Sequence, residues 1–360
     1  MDLLSVRAAV AGALLFAAAV AGAQPADERE TLYAPHRDER GRFFTPWAGE
    51  RPGMLRMLQW QFSRSPYAGV EAPPVPTVEN DGAYLADPGQ PESLTWVGHS
   101  TYIGHDGGDV FVTDPHFSKR ALLPARVTEP GLPLSSIPPD AFAVISHNHY
   151  DHLDTKTVEQ LPASIGWYVP LGLADWFRKR GREDVTELDW WESAERGRWK
   201  ITCLPSQHWS LRIDQAQNRS LWCAWLIESD RRRYFFAGDT GYFHGFREFG
   251  ERYPGIDAAI MPIGAYSPRW FMRYQHMDPA EAYLAFRELG AEHFFAMHWG
   301  TFDLTDEPPG YPPVEFREVV EQAGGDAERL HVPAVGERFV LPPRRRPASP
   351  GGTAGDPKAP

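Results

Sequence analysis

The stretch SHNHYDHLD, residues 146–154, decides how this sequence is read. Three histidines and two aspartates follow directly on the apolar run Ala141–Ile145. A run of that kind reads as a buried strand, so the polar cluster begins where a strand ends. In an extended segment residues two apart point the same way, so His147 and His149 can reach one ion. Asp151 and His152 follow immediately and lie beside that ion rather than on it. The pattern H-x-H-x-D-H thus supplies two ligands to each of two metals from one rigid strand end.

Two metals need further ligands, and later strand-like runs end in them. His208 closes KITCLPSQH, Asp239 closes YFFAGD, and His298 closes HFFAMH. A lone histidine at a strand end is ordinarily structural or solvated. A set of this size, each member at the end of an apolar run, is not. The donors are nitrogen and oxygen with no thiolate, which suits two Zn²⁺, with Fe or Mn as the lesser candidates. Gly238 and Gly241 flank Asp239 and let the backbone turn tightly there. Asp114, ending VTD, is placed to accept a proton from a liganding imidazole.

The bulk composition agrees with an enzyme of one large domain. The chain has 360 residues, 42% of them hydrophobic, which is enough for one large core. Its formal charge of −12 and its short, isolated arginine clusters (Arg231–Arg233, Arg344–Arg346) argue against a nucleic-acid partner. Thirteen Trp and twenty Phe are more than a polar surface needs, so most belong in the core and some can line an apolar groove. Cys203 and Cys223 sit on consecutive strand-like runs and are expected as two buried free thiols, although an oxidising compartment would permit a bridge.

Residues 1–23 have the layout of a secretory signal peptide: one Arg, an apolar run from Ala8, and small residues at Ala21 and Ala23 before Gln24. Cleavage is expected after Ala23, which puts the mature protein in the periplasm or outside the cell; a leader kept as a membrane anchor is the alternative. Residues 24–92 form a Pro-, Arg- and Glu-rich N-terminal extension. Within it PGMLRMLQWQFSR (52–64) places Met54, Leu55, Leu58 and Phe62 at helical spacing. That helix either packs on the core or serves a membrane surface. Residues 93–341 alternate short β-type runs (SLTWVG, STYIGH, DVFVTD, AFAVIS, GWYVP, KITCLP, LWCAWLIE, RRYFFAGD, AAIMPIG, HFFAMHWG) with helical stretches at 155–162, 172–181, 244–253 and 278–290. The last helix opens with Asp278 as N-cap, Pro279, and Glu281 in the capping-box position. This order suits an α/β architecture of sheets packed face to face with helices outside. Residues 342–360 read as a disordered tail.

The ligand constellation resembles the metallo-β-lactamase fold superfamily, which implies an αββα sandwich with a dinuclear metal site at one edge. The likeness narrows along the chain. GRFFTPW, WVGHSTYI, TDPHFS, SHNHYDHLD, VPLGLADW, ELDWWE, PSQHWS, FFAGDTGYF, PIGAYSPRWFMRYQHMDP and HWGTF, in that order, resemble the N-acylphosphatidylethanolamine-hydrolysing phospholipase D family from about Tyr33 to Leu341. The resemblance implies that one zinc takes His147, His149 and His208, that the other takes Asp151, His152 and His298, and that Asp239 bridges them. It also implies that Tyr150 and His276 contact substrate. The catalytic set so implied is Asp151, Asp239 and His276.

The implied reaction is hydrolysis of a phosphodiester, releasing N-acylethanolamine and phosphatidic acid. Two divalent cations and two ligand carboxylates leave the site net cationic, which favours an anionic ester over a neutral amide. The implied partners are a phospholipid substrate and a membrane surface held peripherally, with a homodimer as the assembly to test. The alternative is a metal-dependent lactonase or carboxyl-ester hydrolase on the same fold.

Overall fold

A computed structural model describes residues 26–344, so the leader (1–23) and residues 345–360 of the tail lie outside the described residues. All ten sequence-predicted strands form. They are β1 (Ser93–Gly98), β2 (Thr101–Asp106), β3 (Asp109–Thr113), β4 (Phe142–Val144), β5 (Gly166–Pro170), β8 (Trp199–Leu204), β9 (Ala224–Glu228), β10 (Arg233–Phe236), β11 (Ala258–Pro262) and β12 (His293–Met297). Four more complete the sheets: β6 (Val185–Leu188), β7 (Ser193–Arg196), β13 (Leu330–His331) and β14 (Arg338–Val340).

The strands form two seven-stranded mixed sheets, ordered β14-β1-β2-β3-β4-β5-β6 and β13-β12-β11-β10-β9-β8-β7. Each sheet has three antiparallel ladders on one side and three parallel ones on the other. The halves thus repeat a topology although no repeat is visible in the sequence. β1, β3 and β4 run the same way in one sheet, as do β8, β10, β11 and β12 in the other. Their C-terminal ends therefore meet along one edge of the molecule.

Alternation along the strands builds two apolar layers. Phe111 of β3 points between the sheets, where it stacks at 6.0 Å on Phe142 and packs edge-on to Trp199, while Val110 and Val112 point to the outer face. On β4, Phe142 and Val144 face inward and Ala143 outward. Fully burying each of these large side chains is worth about 1.5–3 kcal/mol, so the shared central layer is the main bond between the sheets.

The outer face of the first sheet is covered by α3 (Thr155–Gln160) and α4 (Ala174–Arg178), through Val158, Trp176 and Phe177. The second sheet carries α5 (Gly245–Arg252), α7 (Pro279–Leu289) and α8 (Pro312–Gln322). Asp278 caps α7 as its sequence implies, accepting from Glu281 N–H at 2.9 Å. The Glu281 carboxylate, however, goes to Arg269 at 2.7 Å in short helix α6 (Arg269–Met272).

The N-terminal extension wraps the sandwich. After α1 (Ala26–Thr31), Leu32 and Phe43 enter the central core and His36 bonds Asp189 at 2.7 Å. Helix α2 (Met54–Gln61) forms where the 52–64 pattern predicts it, and Trp60 fixes it through Asp306 at 2.9 Å and a stack on Phe271. None of its residues is buried. The first residues of the tail are also held, since Arg344 Nε bonds Asp257 at 2.7 Å.

Candidate metal centre and active site

Every candidate ligand sits just past a strand on the shared edge. His147, His149, Asp151 and His152 follow β4, His208 follows β8, Asp239 follows β10 and His298 follows β12. The chain must turn sharply at these ends, and the turns use left-handed backbone. Asp114, Gly238 and His298 have φ of 33°, 57° and 60°. At Gly238 a Cβ would also lie 2.6 Å from that of Ser146, so no side chain fits. Gly241 serves differently: a Cβ there would lie 2.3 Å from Tyr274 O, so its role is close backbone approach. Non-glycine residues held at positive φ are costly and collect at functional sites.

The structure gathers two ligand groups. His147, His149 and His208 bring one nitrogen each to within 4.8 Å of one another. Asp151, His152 and His298 form the second group, and His99 joins them. Asp239 lies between: Oδ2 is 3.1 Å from His152 Nε2 and 3.7 Å from His208 Nε2, and Oδ1 is 3.1 Å from His298 Nε2. His276 completes the wall, its ring 5.3 Å from His208 and 5.2 Å from His298.

The hydrogen bonds behind the rings set which nitrogen is free. His152 Nδ1–H donates to Asp114 Oδ2 at 2.6 Å, the role expected of Asp114. Ser146 N–H and Oγ–H also donate to Asp114, and Ser146 Oγ accepts from His147 Nδ1 at 2.9 Å. His208 Nδ1 donates to Gln275 O at 3.0 Å. Each of these imidazoles therefore turns its Nε2 inward, towards the other candidate ligands.

Ring nitrogens of the first group converge on one another. His149 Nδ1 lies 2.8 Å from His147 Nε2 and 3.2 Å from His208 Nε2. Buried His152 Nε2, His298 Nε2 and Asp239 Oδ1 make no well-aligned hydrogen bond, although Asp239 faces both rings at 3.1 Å. Such an arrangement is unfavourable unless cations fill it, so the residues fit two metal ions.

The electrostatics say the same. Burial, reinforced by neighbouring imidazoles, holds His147 and His208 far below the ordinary histidine range, so they are neutral and able to ligate. Burial opposes ionisation of Asp239 and Asp151, yet the adjacent histidines outweigh it and keep both carboxylates charged. Burial likewise opposes charging His298, but Asp239 and Asp151 pull it up to about 9. The carboxylates thus demand positive charge from their surroundings, and a divalent cation supplies it without protonating the ligands.

Two features were not legible in the motif. Arg212 braces the H-x-H-x-D-H turn from beneath, donating to Asn148 O at 3.1 Å, Leu153 O at 2.9 Å and Thr155 Oγ1 at 2.7 Å. Its guanidinium also lies 4.1 Å over the Tyr150 ring, while Tyr150 Oη accepts from Ile213 N–H at 3.1 Å. Tyr150 is thus anchored to the 211–213 loop rather than to the histidine cluster. The second feature is His99, considered below. Cys203 and Cys223 are buried free thiols.

Residues 110–299 match the family model described as the beta-lactamase superfamily domain. An N-acyl-phosphatidylethanolamine-hydrolyzing phospholipase D of Caenorhabditis elegans is 36% identical over 295 residues, covering 74% of this chain and 81% of the relative. The mitochondrial enzyme of that name from Saccharomyces cerevisiae is 32% identical over 73% of this chain and 58% of its own length. The chain belongs to the N-acylphosphatidylethanolamine-hydrolysing phospholipase D family. It is accordingly a metal-dependent hydrolase of the metallo-β-lactamase fold. Solved structures agree on the fold: a metallo hydrolase of Ignicoccus hospitalis superposes with TM-score 0.51 at 24% identity, covering 69% of this chain and 98% of that one. A possible metal-dependent hydrolase of Veillonella parvula gives 0.57 at 16% identity, covering 70% and 100%.

Proposed function

We propose that this chain is a zinc-dependent phosphodiesterase of the phospholipase D type, hydrolysing N-acylphosphatidylethanolamine to N-acylethanolamine and phosphatidic acid. The observation that carries this reading is the position of Asp239 between two nitrogen-rich ligand groups, in a chain whose family relatives bear that activity in their names. The assignment proposed is His147, His149 and His208 on one ion, Asp151, His152 and His298 on the other, and Asp239 on both. All-nitrogen-and-oxygen donors with three imidazoles on one side suit zinc better than softer or harder ions. Two such ions, when bound, supply a water ionising near pH 7 and offset the charge of a phosphodiester.

The chain's own groups do the rest. Asp114, through His152, and Gln275 O, through His208, lock the rings in their ligating tautomers. Burial drives His276 down to about 3, so its neutral ring suits an N–H donor that orients a phosphoryl oxygen. Its Nδ1 makes no hydrogen bond within the chain and is free for that purpose. Tyr150, held by Arg212 and Ile213, is the proposed head-group contact.

A membrane surface is part of the proposal. On α2 and just beyond it, Met54, Leu55 and Phe62 are 70%, 83% and 89% exposed, an apolar face that no part of the described chain covers. Leu58 lies beside them and is also exposed. An amphipathic helix of this kind can lie in a lipid interface. Among the described residues no helix is long and apolar enough to cross a membrane. The leader at 1–23 supports a periplasmic or secreted site of action, which N-terminal sequencing of the mature protein tests: Gln24 is expected, and Met1 from a cytoplasmic fraction overturns it.

The experiment is metal analysis of the purified protein with a substrate panel. Close to two zinc per chain and turnover of N-acylphosphatidylethanolamine are expected. Preferential turnover of a lactone or carboxyl ester would replace the reading with the alternative one.

A further inference from the structure

Arg51 stands out among the partly buried arginines. Arg198, Arg232 and Arg269 each hold carboxylates, at 2.7, 3.1 and 2.7 Å respectively. Arg51 has no hydrogen bond and no carboxylate within ion-pair distance among the described residues. Its guanidinium carbon instead lies 3.7 Å over the Trp209 ring. That ring packs at 4.4 Å on His149 and at 6.3 Å on His208, two of the proposed metal ligands. Arg51 is therefore a cation one ring away from the metal centre.

Its place is built, not incidental. Upstream, Trp47 stacks on Phe243 at 4.9 Å and donates Nε1–H to Gln207 Oε1 at 3.1 Å. Gln207 in turn donates to Tyr274 O at 2.8 Å. Downstream, Trp60 ties α2 to Asp306 at 2.9 Å. The segment carrying Arg51 is thus strapped at both ends across the loops that bear His208 and His276. Burial lowers the pKa of this guanidinium, with Tyr274 opposing, which is the direction expected of a charge short of both water and a partner. A partly desolvated, unpaired cation is costly in the free protein unless a ligand brings the counter-charge.

We propose that Arg51 is an anion-binding residue of the active site, whose guanidinium donates to a phosphoryl oxygen of the phosphodiester on the side of the cluster formed by His149 and Trp209. The inference deepens the phosphodiesterase reading and rests on it. A planar guanidinium with free donors matches a phosphodiester, which offers two non-bridging oxygens and one negative charge. A neutral lactone offers no such counter-charge, so Arg51 also separates the two substrate classes. Its position in the chain, two residues before the cap of α2 at Gly53, puts the anion-binding group next to the exposed apolar face. A lipid whose tails meet that face would present its phosphate to Arg51.

The test compares wild type, Arg51→Lys and Arg51→Met in the metal-loaded full-length protein, at matched metal content. Binding of dibutyl phosphate, a soluble diester with no membrane, is measured by calorimetry, with inorganic phosphate as a second probe. Arg51→Met fills the space over Trp209 without charge and should weaken dibutyl phosphate at least tenfold. Arg51→Lys should fall between the two. On a soluble chromogenic phosphodiester, KM should rise more than kcat falls.

Wild-type binding by Arg51→Met overturns the proposal, and so does equal weakening by Lys and Met, which would mark a packing role. Loss confined to inorganic phosphate, with dibutyl phosphate unaffected, also overturns it. If wild type binds dibutyl phosphate through Arg51 yet turns over no phospholipid, the phosphodiesterase reading fails while the anion subsite stands. If wild type binds neither probe, both fail.

Discussion

His99 Nε2 donates to Asp151 Oδ2 at 2.9 Å, from a fully buried ring lying 4.1 Å from that of His298. His99 follows β1 with φ of 51°, and its carbonyl accepts from both Trp96 Nε1 and His298 N–H. One residue thus aims a proposed ligand carboxylate and holds the backbone of a proposed ligand histidine. We expect His99→Asn, which tolerates the left-handed backbone but cannot reach Asp151, to weaken one metal roughly 10–100-fold and leave the other. Metal titration followed by elemental analysis checks this. Two equally tight metals in the variant would show that Asp151 needs no such support.

Asp239 lies within 3.9 Å of His147, His152 and His208 through Oδ2, and within 3.1 Å of His298 through Oδ1. Removing its charge should therefore be felt on both sides of the centre. Asp239→Asn keeps the shape and should lose both metals or nearly all activity, by roughly two orders of magnitude or more. A variant with two metals and the wild-type rate would contradict the bridging assignment.

Glu307, which is not among the proposed ligands, gives a pH signature of its own. It is 4% exposed and accepts from the N–H groups of Tyr266 and Ser267, both at 3.0 Å, beneath the loop that leads to His276. Burial raises its pKa from 4.5 to about 7, against those hydrogen bonds. Between these values the folded state binds the proton and the unfolded state does not, so this group's contribution to stability falls as pH rises from about 4.5 to 7. The integrated effect is up to about 3 kcal/mol. Glu307→Gln should remove it. The stability difference between the variant and wild type should move in the variant's favour across that window and flatten above it. Denaturant unfolding at several pH values checks this, and a constant difference would mean that Glu307 is ionised throughout.

The parts of this molecule legible in its sequence are those where burial is complete. The ten strands with apolar runs all formed, because a strand covered on both faces writes its burial as a continuous apolar string. Strands β6, β7, β13 and β14 were missed. VTEL and SAER lie at or near sheet edges and are mostly half-exposed or exposed, and β13 and β14 are only two and three residues long. Helix α8 was missed as well, since the Pro pair at its start masks the short apolar pattern of Phe316, Val319 and Val320 that follows it. Strand-end position revealed His147, His208, Asp239 and His298, and the same rule applied to SLTWVGH would have revealed His99. Arg51 could not have been found this way. In PWAGERP it reads as one more surface charge, and only folding brings Trp209 beneath it. The same limit held for the choice between a core helix and an interfacial one at 52–64: the spacing of Leu55, Leu58 and Phe62 is the same in both, and only the fold shows that none of these side chains is buried.

That exposed face makes its own prediction. Leu58→Ser with Phe62→Ser should reduce activity on phospholipid vesicles by roughly tenfold while leaving a short-chain soluble diester nearly unaffected, because the face contributes only where apolar surface is available to bury. Parallel assays on vesicles and on the soluble diester check this. Equal losses on both would mean the helix supports the fold rather than the interface.

The central claim is that phosphorus is the atom attacked. In the proposed assembly the phosphoryl group is the part of the lipid nearest the centre between His208, Asp239 and His298, with Arg51 and His276 beside it. The glyceride esters and the amide lie several bonds away, towards the exposed apolar face. Hydrolysis of N-acylphosphatidylethanolamine in water enriched in heavy oxygen, followed by mass spectrometry of both products, measures this directly. The account predicts one heavy oxygen in the phosphatidic acid and none in the N-acylethanolamine. Label in a released fatty acid would contradict it and make the chain a carboxyl-ester hydrolase.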